Sequence, residues 1–224
     1  MKKITENNSF LSGFTNKAKY FLILHIFFLL FGLLPIILST DKELCIWINQ
    51  HHNEYLDIIF KYITFLGDGF FYGIVLIPLL FVKVRWSIAG LLSYISTGLI
   101  AQLLKHIFEM PRPKHFFANL DLNYVEGVTL YSNFSFPSGH TTSAFSLFLI
   151  LSFLFPKNGL QVLFFVMALL VGFSRVYLMQ HFYIDIYIGS IIGVAFTVIT
   201  LYFFQKLKPY SDDHWLNKPL QKIL

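Results

Sequence analysis

Three short stretches of this chain set ionisable side chains at the edges of long apolar runs. Lys105 and Arg112 lie in KHIFEMPRP, Ser138, Gly139 and His140 in FPSGH, and Arg175, His181 and Asp185 in SRVYLMQHFYID. Charged groups bordering hydrocarbon are costly and mark function. Three cations, two imidazoles and one carboxylate are the inventory for binding a phosphate and transferring it. Arg presents a planar fork to phosphate oxygens, whereas Lys acts as a point charge. His181 and Asp185, four residues apart, share one face of a helix start. A carboxylate against one imidazole nitrogen fixes the tautomer and leaves the other nitrogen free to attack. A lone histidine at such an interface reads as an ordinary packing residue, and the Asp one turn on is what points to chemistry.

Pro137, Ser138, Gly139 and His140 open an apolar run. Pro suits a first helical turn, Gly admits close approach of a ligand, and free N–H groups at the positive end of a helix attract anions. The Ser138 hydroxyl adds one more donor. An ordinary Pro-Ser helix start is the alternative reading of these residues, as an interfacial anchor is for Lys114. Pro111 and Pro113 break any helix beyond Lys105, which puts Lys105 near a helix end and Arg112 in a loop. Arg175 lies six residues before His181, off its helical face, so a turn must bring the two together.

The elements that position these residues are membrane elements. Of 224 residues, 56% are hydrophobic and 13% charged, about half the charged share of a soluble domain. Six apolar segments can be marked, at 20–39, 68–83, 87–107, 137–155, 160–174 and 182–205, against about 20 residues per crossing. The expected fold is therefore all-α: a polytopic six-helix membrane bundle forming a single domain over 1–224. Between the first two segments, Leu56, Ile59, Phe60 and Ile63 recur at helical spacing around Asp57 and Lys61. This predicts either a short amphipathic helix on the membrane surface or an extension of the second span. Lys2 and Lys3 before the run from Phe21 resemble a signal sequence. However, Leu38-Ser39-Thr40-Asp41 lacks a small-x-small cleavage pattern, so an uncleaved first helix is expected.

The net charge of +5 sits in short loops and tails, which is a topology pattern and not a nucleic-acid surface. Six spans with a cytoplasmic N-terminus put eleven of the 17 Lys and Arg inside, with both termini, and six outside. All three clusters then fall on the outer, periplasmic side of the inner (plasma) membrane. The single cysteine, Cys45, excludes an intramolecular disulfide and reads as a buried or interfacial hydrophobe.

In order and spacing, the clusters resemble the three-part pattern of the type 2 phosphatidic acid phosphatase superfamily. That pattern is Lys-x6-Arg-Pro, then Pro-Ser-Gly-His, then Ser-Arg-x5-His-x3-Asp. Lys105 precedes Arg112-Pro113 by the required interval, Pro137-Ser138-Gly139-His140 is unbroken, and Ser174-Arg175, His181 and Asp185 keep the last spacing. The resemblance covers 105–185 by motif. It implies a membrane-bound, metal-independent lipid phosphatase working through a phosphohistidine, with no cofactor. His181 would be the nucleophile, Asp185 its orienting partner and His140 the general acid. Lys105, Arg112, Ser138, Gly139 and Arg175 would hold the phosphoryl oxygens. The expected partner is a phosphate- or pyrophosphate-bearing envelope lipid: undecaprenyl pyrophosphate, phosphatidylglycerol phosphate or a lipid A phosphate. A lipid phosphotransferase would use the same residues. A non-catalytic lipid-binding or transport protein would need neither the acid nor the nucleophile. A metal site built from His51, His52 and His115 has no supporting spacing. The aromatic stretch from His115 to Phe136 is expected to cover the pocket at head-group level.

Overall fold

Lipid supplies no partner for backbone N–H and C=O groups, so apolar runs must satisfy their own as helices. The computed structural model describes residues 13, 16–38, 40–206 and 214–223, and among these it is helical with no strand. Lys2, Lys3 and Lys208, which enter the charge argument, lie outside the described residues. The first run folds as α1 (Lys19–Gly32) and a short α2 (Leu34–Ile37) with Pro35 in its first turn. α3 (Asp41–Gln50) is an addition that apolar periodicity alone did not show. Asp41 and Glu43 stabilise its positive end, and it buries Cys45, Ile48 and Asn49. Cys45 is the expected buried hydrophobe, with Sγ 3.6 Å from Met179 Sδ.

The amphipathic segment forms α4 (Glu54–Ile63), capped by the Asn53 side chain, which accepts from Leu56 N at 3.0 Å. A 3-10 turn at Thr64–Gly67 follows, and Asp68 then caps α5 (Gly69–Val82) by accepting from Phe70 N at 2.7 Å. The two helices meet at 57°, a bent pair and not one straight rod. α6 (Val84–Phe108) ends where Glu109 turns left-handed at φ 45°, and α7 (Pro113–Phe116) follows. α8 (Gly139–Leu154), α9 (Asn158–Tyr177) and α10 (Tyr183–Lys206) complete the bundle.

Among the described residues four helical segments are long and apolar enough to cross a membrane, and the bent pair adds a fifth if it is one span. This is a multi-pass membrane protein. α8 differs from the six-span expectation: its 16 residues reach about 24 Å at 1.5 Å per residue, short of a 30 Å hydrocarbon layer. It sits at the centre of the bundle, against α6, α9 and α10, and is buried on nearly every side. Gly189 and Gly193 of α10, one turn apart, permit that contact. An added Cβ would lie 2.9 Å from Ser138 O at the first and 2.6 Å from Thr142 O at the second. Small residues at such spacing let helix backbones approach in lipid.

Hydrogen bonds fix the register around α8. Thr197 donates to Ser146 Oγ at 2.7 Å, Ser146 lies 3.1 Å from the Tyr72 hydroxyl, and Tyr72 donates to Gly90 O at 3.1 Å. That chain ties α5, α6, α8 and α10 together. On the other flank, Phe21 packs edge-on against Phe145 and Phe165, with centroids 6.2 and 5.5 Å away.

Candidate active site

The nucleophile candidate is held by the junction between α9 and α10. α9 ends at Tyr177, Met179 takes a left-handed φ of 55°, and the N–H groups of Gln180 and His181 both donate to Arg175 O, at 2.9 and 3.1 Å. The turn demanded by the off-face spacing of Arg175 and His181 is thus present. His181 and Asp185 are almost fully buried, with Nδ1 3.1 Å from Asp185 Oδ2. The same Oδ2 accepts from the Ser135 hydroxyl at 2.5 Å and from Phe182 N at 3.0 Å. These donors fix the carboxylate, and the carboxylate fixes the ring, so the lone pair is left on His181 Nε2.

The cations converge from three elements. Lys105, in the last turn of α6, donates to Phe134 O at 2.5 Å and to Ser135 O at 3.3 Å. Arg112, the cap residue of α7, donates from Nε to Asn133 O at 2.9 Å and from one terminal nitrogen to Gln180 O and Oε1, both at 3.2 Å. Its guanidinium lies 5.2 Å from the Tyr131 ring centroid. Arg175 donates to Thr64 Oγ1 at 2.6 Å and to Gln180 Oε1 at 3.4 Å, and its buried Nε has no protein partner. Lys105, Arg112, Arg175 and His140 all lie within electrostatic reach of His181. Burial first, then these neighbours, holds the His181 imidazole well below its ordinary value of 6.5.

The fourth wall is the start of α8. Ser138 caps it, its Oγ accepting from Thr141 Oγ1 at 2.9 Å and from Thr141 N at 3.4 Å, and its own N–H donates to Asp185 O at 3.0 Å. The serine is therefore both helix cap and site residue, with its hydroxyl proton left for a ligand. Gly139 and His140 have no intrahelical acceptor for their N–H groups. A Cβ at Gly139 would meet nothing within 4 Å, so the backbone there is open to approach.

The 115–136 loop lies against this site. Its carbonyls receive Lys105 and Arg112, Thr129 O receives Gln180 Nε2 at 2.9 Å, and Asn49 and Asn123 pair through two bonds of 2.7 and 3.0 Å. Sequence reasoning missed Ser135, Gln180, Thr64 and Asp68. Gln180 sits inside the His181 motif at a position where spacing alone assigns no role. Thr64 and Asp68 come from a turn far upstream, and nothing in the apolar pattern marked them. Among the described residues no group of three or more His, Cys, Asp or Glu is placed to hold a metal ion.

A buried His–Asp pair is ringed by cations and stands beside a helix N-terminus inside a helical membrane protein. Residues 86–209 match the PAP2 superfamily, and the chain belongs to it. A lipid A 1-phosphatase from Rhizobium johnstonii is 31% identical over 59% of this chain and 53% of its own, so the chain spans about half the length of that relative. The crystal structure of Aquifex aeolicus LpxE is similar at a TM-score of 0.63 and 30% identity, covering 71% of this chain and 93% of that one. A transmembrane PAP2-type phosphatidylglycerolphosphate phosphatase from Bacillus subtilis is similar at 0.58 and 26% identity, covering 88% and 100%.

Proposed function

We propose that this chain is an integral-membrane lipid phosphatase that hydrolyses a phosphomonoester or pyrophosphate on an envelope lipid. The observation that carries the reading is the buried His181–Asp185 pair, with Oδ2 of Asp185 fixed by three donors and the ring faced by three cations. Lys105, Arg112, Arg175, Ser138 and the N–H groups of Gly139 and His140 hold the phosphoryl oxygens. His181 Nε2 attacks phosphorus, the P–O bond to the lipid breaks, and His140 gives its proton to the departing oxygen. Asp185 stabilises the charge left on the ring. In the second half, neutral His140 takes a proton from water, water oxygen attacks phosphorus, the P–N bond breaks, and inorganic phosphate leaves. The fixed cations supply the charge that a divalent ion supplies in other phosphoryl transfers.

The single domain spans 1–224 and crosses an inner (plasma) membrane six times: α4 lies at the interface and α5 alone makes the second crossing, while α8, enclosed by α6, α9 and α10, makes a short fourth one. Both termini face the cytoplasm and the site faces outward. Candidate substrates are undecaprenyl pyrophosphate, phosphatidylglycerol phosphate and lipid A phosphates. The relatives' names support the class without choosing among them. The test is phosphate release by purified protein from that panel, with chelator, with vanadate and in His181→Ala. Expected are turnover of at least one lipid, indifference to chelation, inhibition by vanadate, and loss of turnover in a folded variant. Substantial turnover by His181→Ala, or restoration of chelated protein by magnesium, would overturn the mechanism.

A further inference from the structure

The three motifs do not complete the walls of this site, because a fourth segment, Thr64 to Asp68, is built into it. Thr64 Oγ1 accepts from Arg175 at 2.6 Å, and Asp68 Oδ2 lies 3.8 Å from His140 Nε2. The approach is structural and not a chance meeting of long side chains. An added Cβ on Gly67 would lie 2.6 Å from the His140 carbonyl oxygen and 2.6 Å from Val171 Cγ1, so only glycine lets the turn sit directly on the start of α8. Asp68 is also held from behind, since its other oxygen accepts from Phe70 N at 2.7 Å as the cap of α5.

We propose that Asp68 is the positioning residue of His140: its carboxylate is the counter-charge that lets this imidazole carry the proton needed by the leaving oxygen. The inference rests on the reading of His140 as general acid. Lys105 from α6, Arg112 from the loop, Arg175 from α9 and His181 from the α9–α10 junction all act on His140 electrostatically or adjoin it, and none supplies negative charge. Asp68 does. At 3.8 Å the carboxylate is beyond hydrogen-bonding range, so it stabilises an imidazolium without taking the proton that must go to the substrate. The proton moves from Nε2 to the leaving oxygen as the P–O bond breaks, and returns from the hydrolytic water.

Asp68→Asn separates this role from the capping role, because the amide oxygen still caps α5 while the charge is gone. Purified wild type, Asp68→Asn and His140→Ala are compared on 4-nitrophenyl phosphate, whose leaving oxygen departs without a proton, and on a short-chain phosphatidate, whose alkoxide cannot. Thermal unfolding is measured alongside. The expected result for Asp68→Asn is roughly a tenfold or greater fall in kcat on the phosphatidate, little change in its KM, and a much smaller fall on the aryl phosphate. His140→Ala should show the same selectivity, more strongly. Equal losses on both substrates, a change confined to KM, or no change in Asp68→Asn would overturn the proposal, the first two pointing to an action of Asp68 through Arg175. If His140→Ala itself treats the two substrates alike, the acid assignment falls and this inference falls with it. If only Asp68→Asn does so, the acid assignment stands alone.

Discussion

At the residue scale the proposed chemistry depends on His181 being a neutral nucleophile while cations surround it. Burial and the adjacent Arg112, Arg175 and Lys105 all disfavour a proton on its ring, and their combined effect places its titration well below 6.5. The sign follows directly. A lowered pKa keeps Nε2 unprotonated to lower pH, so the acid limb of kcat/KM, corrected for ionisation of the substrate, should have its midpoint well under 6.5. A midpoint at or above that value would mean that the ring is solvated or that another group limits the rate. The charged residues of the site were legible in the sequence because His181 and Asp185 share a helical face and because the intervals from Lys105 to Arg112 and from Arg175 to His181 resemble the family pattern. What the sequence hid is the neutral scaffold between them. Gln180 accepts from both arginines and Ser135 donates to Asp185, yet a glutamine and a serine near an interface carry no distinctive signal. Their roles come from the turn at Met179 and from the loop folding back, both of which are tertiary facts.

At the scale of elements, the apolar runs gave their helices to within a few residues, since a spanning run has one way to satisfy its backbone. Two features escaped that logic. α3 is too polar to be marked by hydropathy, and it forms because Leu44, Cys45 and Ile48 line one face that packs under the site. α8 was marked but is shorter than a full crossing, because burial on all sides by α6, α9 and α10 replaces lipid contact. That burial depends on Gly193 in α10. A methyl group there would stand 2.6 Å from Thr142 O and 2.9 Å from Phe145 Cβ, backbone-anchored atoms that move only if α8 moves. Gly193→Ala should therefore lower stability by about 1–3 kcal/mol, as overpacking does. It should also lower activity, because Ser138 and His140 ride on α8. Gly98→Ala in α6, where a Cβ meets nothing within 4 Å, is the matched control and should leave unfolding unchanged or slightly later. Thermal unfolding in detergent checks the pair. Equal behaviour of the two variants would mean that the α8–α10 contact is looser than this packing implies.

At the scale of the whole molecule, the site gathers at one end of the bundle, and the membrane face it occupies decides which lipids it can reach. The end of α6, the start of α8 and the α9–α10 junction meet around His181. The opposite end carries Lys83, Arg85 and Lys157, the kind of cationic loops that remain cytoplasmic. An outward site lets a lipid anchored in the outer leaflet present its phosphate without crossing the bilayer. Two positions report on the two ends: Asn119 in the loop over the site, and Asn158 at the start of α9, both exposed. With Cys45 replaced, Asn119→Cys should react with an impermeant thiol reagent in intact cells, and Asn158→Cys only after the membrane is opened. Cys45 is buried, so its replacement by Ala or Ser should be checked first for retained activity. The reverse labelling would place the site against the cytoplasm and move its substrates to the inner leaflet. The phosphohistidine chemistry proposed for His181 would be untouched by that result, whereas a role in trimming or recycling outer-face envelope lipids would be ruled out.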